Sequence, residues 1–223
     1  MMKGWICLFL CLLTGVVSAA ITDSVPVLEV RRQSGWEGAA SVEIRPPWNG
    51  PDRVVARACF FFDDSLLHFA FYADDTTVNL FTSSGDELWV TKGDRVELFF
   101  ASSGDLSDYF CFEISPAGKV LDYRAKYKRQ FDYGWHLPGL SVTTHIGDKG
   151  YVVQGEIPMS FIRRLWGRVQ GDRRRHALYA GVFSADYYGE GEEDVVWNSW
   201  VIPRSDKPDF HIPSALGRFI FYE

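Results

Sequence analysis

Acidic and aromatic residues share short segments of this chain in a way that a purely packed interior would not need. In the run "LWVTKGDRVELFFASSGDLSDYFCFEIS" (88–115), Trp89, Asp94, Glu97 and Glu113 stand among apolar residues. In a strand, successive side chains point to opposite faces. Val96, Leu98 and Phe100 then share one face of "DRVELFFA", and Arg95, Glu97 and Phe99 the other. In "YFCFEIS", Phe110, Phe112 and Ile114 oppose Tyr109, Cys111, Glu113 and Ser115. Each strand thus has an apolar face and a second face that mixes carboxylates with aromatic rings. Such a face suits a ligand that is flat and apolar on one side and rimmed with hydroxyls, and it equally describes an ordinary solvated sheet face. Sugars have this form, and Trp or Tyr rings with neighbouring carboxylates and amides complement them.

Further candidates of the same kind lie near the C-terminus. "VVWNSW" (195–200) sets Asn198, with two donors and one acceptor, between Trp197 and Trp200. "DFHIP" (209–213) places Phe210 beside His211. A loop carrying these residues over the Glu97 face would form the other wall of a cleft; otherwise its tryptophans simply fold it onto the core. Trp36, Trp48, Trp135 and Trp166 are read as packing. Paired acids also raise the question of glycoside hydrolysis, which needs two carboxylates about 5–9.5 Å apart on either side of the scissile bond. Any two acids on one sheet face meet that spacing, so no catalytic residue is assigned. Asp63–Asp64, Asp74–Asp75 and Asp186 with Glu190, Glu192, Glu193 and Asp194 are oxygen-rich turns suited to a structural Ca²⁺ or to plain solvation. The histidines show no zinc-ligand spacing.

The elements that must position these groups are short strands separated by turn residues. Strands are expected over 53–62, 66–73, 95–101, 109–115, 119–127, 140–146, 151–157, 177–185 and 217–223, with turn signals such as Pro116-Ala117-Gly118 between several of them. One helix is expected over 158–170, where Phe161, Leu165 and Trp166 follow helical spacing behind Pro158. The pattern predicts an all-β, antiparallel β-sandwich, jelly-roll-like, with one short helix. The segment "RAKYKR" (124–129) reads as charge on an edge strand, which discourages sheet-to-sheet association.

Residues 1–20, "MMKGWICLFLCLLTGVVSAA", carry Lys3, a short apolar run and small residues before a cleavage point, the pattern of a secretory signal peptide. Residues 21–223 are then one exported domain, periplasmic or extracellular, with no membrane segment after cleavage. The formal net charge of −6 argues against a nucleic-acid partner, whose phosphates call for a basic surface. Cys59 and Cys111 remain after cleavage and form one disulfide or two buried thiols.

Five segments taken in order, "FFFDDSLLHFAFYADD", "LWVTKGDRVELFFA", "YFCFEISPAGKVLD", "GYVVQGEIPMSFI" and "DFHIPSALGRFIF", resemble the family 9 carbohydrate-binding modules and their family-9-like relatives over about residues 54–222. The resemblance implies a DOMON-like sandwich that binds poly- or oligosaccharide without cleaving it, as an accessory to glycoside hydrolases in carbohydrate catabolism. It implies Trp89 and Phe210 as the two rings that clamp a sugar and Glu97 as its hydroxyl-binding carboxylate. Where sugar-binding members carry an arginine, this chain has Glu113. Similar sandwiches elsewhere bind haem through Met and His or Lys, and Met159 is the one methionine that remains after cleavage. A structural module without ligand is the third alternative.

Overall fold

A computed structural model describes residues 25–80, 87–169, 172–189 and 194–222, with the side chain of Arg173 left aside. The expected signal peptide and the acidic residues Glu190, Glu192 and Glu193 lie outside the described residues. The described residues form two sheets packed face to face. The larger contains β1 (Val27–Arg31), β5 (Arg95–Ala101), β6 (Tyr109–Ile114), β7 (Val120–Lys126), β8 (Gln130–Asp132), β11 (Gly167–Val169), β12 (Asp172–Tyr187), β13 (Val195–Ser199) and β14 (Gly217–Tyr222). The smaller contains β2 (Ala40–Ile44), β3 (Ala56–Phe62), β4 (Leu66–Asp74), β9 (Ser141–Gly147) and β10 (Gly150–Pro158). Their orders are β1-β14-β12-β5-β6-β7-β8, with β11 and β13 also paired to β12, and β2-β3-β4-β10-β9. All named pairs are antiparallel except β1 with β14, so the expected antiparallel sandwich acquires one parallel edge.

The apolar face deduced from alternation is the inner one. Val96, Leu98 and Phe100 from β5 and Phe112 and Ile114 from β6 meet Phe60, Phe62, Phe69 and Phe71 from the smaller sheet, all essentially inaccessible to water. Each such Phe contributes about 1.5–3 kcal/mol on burial. Gly155 on β10 lets the Phe69 ring lie where a side chain would otherwise stand: an added Cβ would come within 2.3 Å of it.

The helix α1 (Met159–Leu165) buries Met159, Phe161, Ile162 and Leu165. It ends well before the expected Gln170 because Trp166 turns extended and stacks on His176 at 4.3 Å, after which β11 pairs with β12. The tail of the expected helix is therefore a hairpin. The strands β1, β2, β8, β11 and β13 were not anticipated; they run three to five residues each. Cys59 on β3 and Cys111 on β6 sit buried in different sheets and are not joined by a disulfide. Among the described residues no helix is long and apolar enough to cross a membrane.

The outer face of the larger sheet is buried as well. Phe99, Tyr109, Cys111, Leu121, Tyr123 and Phe183 lie under Phe210, Ala215 and Leu216 from the segment that leads into β14. The face that carries the carboxylates is thus roofed by a second apolar cluster, and the hollow between sheet and roof positions the site.

Candidate functional site

The hollow has a volume of about 230 Å³ and draws its lining from the 3-10 turn Glu87–Lys92, β5, β6, β7, the β7–β8 turn, β8 and the residue after it, β13 and the segment 208–211. Its floor follows from strand register. Glu97 and Glu113 are directly opposed across β5 and β6, and Arg95 lies two residues from Glu97 on the same face. Arg95 Nε–H donates to Glu97 Oε1 at 2.9 Å. Glu113 Oε2 lies at the same 2.9 Å from Nε, but it receives no hydrogen bond, because Nε carries a single hydrogen and that hydrogen points to Glu97. Glu113 Oε1 accepts from the Tyr123 hydroxyl at 2.7 Å. The Arg95 Nη1 donates to the carbonyls of Thr91 and Gly93 at 3.2 and 3.3 Å. Its guanidinium carbon stands 5.2 Å from the Trp197 ring centre, within cation–π range.

The three charges are nearly sealed from water, at 4% exposure for Arg95, 2% for Glu97 and 4% for Glu113. Burial pushes the Glu97 carboxyl up to about 8, and the neighbouring Glu113 charge raises it further against the pull of Arg95. Burial disfavours the Arg95 charge, but the two carboxylates outweigh it and hold the guanidinium firmly protonated. Burial also raises the Tyr123 hydroxyl, which remains a donor. Glu97 is therefore the member of the pair that burial holds protonated at neutral pH.

Aromatic rings make the walls. On one side, Phe131 and Tyr133 alternate along β8 and beyond it, each packed on Tyr123 at 5.3 and 5.1 Å. On the other, Trp197 from β13 meets Phe210 edge-on at 5.5 Å, and Phe210 stacks flat on Phe183 at 4.1 Å. That stack depends on Gly181, where an added Cβ would come within 2.3 Å of the Phe183 ring. His211 lies against Phe99 and Phe131, at 4.9 and 5.1 Å, with Nδ1 2.9 Å from the Tyr109 hydroxyl. Its burial, with Arg129 and Arg95 nearby, lowers the ring to about 3, so it is neutral. At the rim, Arg129 Nη2 donates to Asp209 Oδ1 at 2.7 Å, joining the β7–β8 turn to the roof.

Of the residues singled out from sequence, Glu97, Glu113, Trp197, Phe210 and His211 line this one hollow. Trp89, Asn198 and Trp200 do not. Trp89 sits on the 3-10 turn Glu87–Lys92 and is partly exposed, while Thr91 of the same turn reaches the lining. Strand alternation turns Asn198 away from its neighbour Trp197: it is 1% exposed, and its Nδ2 donates to Ser184 Oγ and to the Val196 carbonyl. Trp200 packs over Gly217 and Phe219. Arg95, Tyr123, Arg129, Phe131 and Tyr133 belong to the lining and were not assigned from sequence. Alternation already placed Arg95 on the Glu97 face, and the spacing of Arg129, Phe131 and Tyr133 is the signal that would have shown the β8 wall. Met159, the residue offered for haem, is buried in the core between the sheets.

The acidic turns divide into two kinds. Asp63 Oδ1 accepts from the backbone N–H of Ser65 and Leu66, and its Oδ2 meets His68, whose hydrogen bond lowers the carboxyl to about 2; this acid is spent on the β3–β4 turn. Asp75, Asp94 and Asp186 instead bring carboxylate oxygens within 4.8 Å of one another. Asp94 accepts from the backbone N–H of Tyr187 and Asn79, yet burial raises it to about 7, and burial also raises Asp186. Asp75 Oδ2 is buried without a hydrogen bond.

No protein-family model and no curated protein matches the chain. Solved structures do. A protein of Bacteroides uniformis ATCC 8492, provisionally described as carbohydrate-binding, superposes with a TM-score of 0.65 at 15% identity, covering 89% of this chain and 100% of that one. A family 9 carbohydrate-binding module of Caldicellulosiruptor kristjanssonii in complex with cellotriose gives 0.55 at 14% identity, covering 88% and 94%. A family 9 module of the same organism in complex with glucose gives 0.50 at 18%, covering 88% and 95%. At these identities the likeness establishes a shared fold.

Proposed function

We propose, taking the fold of the family 9 carbohydrate-binding modules as the premise, that this chain is an exported, non-catalytic domain that binds poly- or oligosaccharide. Its place would be beside glycoside hydrolases in carbohydrate catabolism, with residues 1–20 directing export. One sugar unit enters the hollow. Its apolar faces lie against Trp197 and Phe210 on one side and Phe131 and Tyr133 on the other, while Glu97, Glu113 and Arg129 meet its hydroxyls. The observation that carries this reading is a pair of buried carboxylates at the base of an aromatic-walled hollow on that fold. The same pair argues against hydrolysis. A glycosidase sets its two acids on opposite sides of the scissile bond, whereas Glu97 and Glu113 share one floor and one guanidinium.

Calorimetry of the protein without residues 1–20 against cello-, xylo- and related oligosaccharides tests the reading. Binding is expected for at least one series, and Trp197→Ala is expected to weaken it about tenfold, roughly 1.4 kcal/mol, with the folded state checked by near-UV circular dichroism. If no oligosaccharide binds the wild type, the carbohydrate reading is wrong.

The Asp75, Asp94 and Asp186 cluster supports a structural Ca²⁺. Three carboxylates in one place repel one another, and a hard cation with oxygen ligands relieves that repulsion. The ion would tie the segment after β4 to the start of β5 and the end of β12. At 1 mM Ca²⁺ and a Kd near 10 μM, linkage supplies about 2.7 kcal/mol, which for a chain of this size raises Tm by about 5–10 °C. Thermal melts at pH 8 in Ca²⁺ and in chelator measure this directly. Identical curves would show the cluster to be merely solvated.

A further inference from the structure

The floor of the hollow sets two carboxyl groups against one guanidinium and is short of hydrogen-bond donors. Two carboxylates offer about four acceptor sites each. They are served by the single Nε–H of Arg95 and the hydroxyl of Tyr123. Arg95 directs Nη1 away to backbone carbonyls, and Arg129 at the rim is paired with Asp209. Glu113 lines the hollow while only 4% exposed, and its buried Oε2 accepts no hydrogen bond. Unsatisfied buried acceptors of this kind are uncommon and call for a partner.

Candidate sugar substituents answer this shortage to different degrees. A hydroxyl brings one donor and no charge, and an acetamido group brings one N–H with added bulk. A uronic carboxylate adds a further negative charge at close range. A protonated primary amine brings three donors and a full positive charge, and the rings of Trp197, Phe131 and Tyr133 attract a cation besides.

We infer that the hollow selects an amino sugar, a pyranose unit carrying a protonated primary amine, over its neutral, N-acylated and acidic counterparts. The inference rests on the carbohydrate reading above and narrows its ligand class. The ammonium sits against the unsatisfied acceptor of Glu113 and the free lone pairs of Glu97, and it takes the place of the proton that Glu97 otherwise holds. The titratable and charged groups lining the hollow are Arg95 and Glu97 on β5, Glu113 on β6, Tyr123 on β7, Arg129 before β8, Tyr133 after it, and Asp209 and the neutral His211 in the roof.

The test is calorimetry of the wild type at pH 7 with the 1,4-linked trimers of glucosamine, N-acetylglucosamine and glucose, and with a uronic-acid trimer. The expected result is that the amine-bearing trimer binds at least tenfold tighter than the N-acetylated and neutral ones, with the acidic trimer weakest. Titrations in two buffers of different ionisation enthalpy should show proton release on binding the amine and none on binding glucose units. Glu113→Gln should bring the amine to N-acetyl affinity ratio to within about threefold of unity. A neutral trimer that binds as tightly as the amine overturns the amino-sugar inference and leaves the carbohydrate reading standing. If none of the four trimers and none of the cello- and xylo-oligosaccharides binds, the carbohydrate reading itself falls, and this inference with it.

Discussion

Arg95→Met is expected to lower the unfolding free energy by about 3–5 kcal/mol, seen as a fall in the urea midpoint at unchanged slope. Removing one member of a buried ion group leaves the others charged in a medium that solvates them poorly, and that cost is typically of this size. Here one guanidinium faces two carboxylates, each below 5% exposure. Its loss would leave Glu97 and Glu113 with only the Tyr123 hydroxyl between them. The penalty should be largest near pH 8, where Glu97 ionises, and smaller near pH 5, where it is protonated. The triple variant Arg95→Met, Glu97→Leu, Glu113→Leu should recover at least half of the loss, because an apolar replacement of a whole buried ion group is often neutral. It should not recover sugar binding. A single variant that loses less than about 1 kcal/mol at pH 8 would show that the triad is better solvated than its burial implies.

How much of this was legible beforehand depends on which contacts are local. Alternation along β5 and β6 correctly separated Val96, Leu98 and Phe100 from Arg95, Glu97 and Phe99, because a strand has only two faces. It could not say that the second face would be roofed. The roof comes from residues about a hundred positions later, in a segment with no strand or helix period, and its contact with Phe99, Tyr109 and Phe183 is purely tertiary. Hence the floor was readable and the lid was only conditional. Trp89 failed to reach the hollow for a local reason: the 3-10 turn rotates successive side chains by about 120°, which brings Thr91 to the lining in place of Trp89. The pair Trp197 and Asn198 was read as one loop unit, but β13 is a strand, and adjacent residues there must face opposite ways. Around β8 the alternation of Arg129, Phe131 and Tyr133 begins on the last residue of the charged run "RAKYKR", whose composition matches an edge strand and hides the aromatic period.

Asp94 and Glu97, the two carboxyls raised furthest, and the neutral histidine together predict how stability varies with pH, and the direction is opposite to that of a protein held by ordinary surface ion pairs. Asp94, with an ordinary value of 3.8, is held at about 7, and Glu97 moves from 4.5 to about 8. Between about pH 4.5 and those values the folded chain keeps protons that the unfolded chain has released, so stability falls as pH rises. His211 works the other way: it stays neutral down to about 3, whereas the unfolded chain takes up a proton below about 6.5, so stability falls as pH drops through that range. The opposing slopes partly cancel below pH 6.5. Above it the two acids are unopposed, and at about 1.4 kcal/mol per pKa unit the loss between pH 6.5 and 8.5 is expected to be about 2 kcal/mol. Urea midpoints at pH 5.5, 6.5, 7.5 and 8.5 measure it. Glu97→Gln should flatten the upper part of the decline, and excess Ca²⁺ should remove the share due to Asp94, because a bound cation stabilises the ionised carboxyl. A midpoint that stays level or climbs from pH 6.5 to 8.5 would mean that neither acid is held protonated in the folded chain.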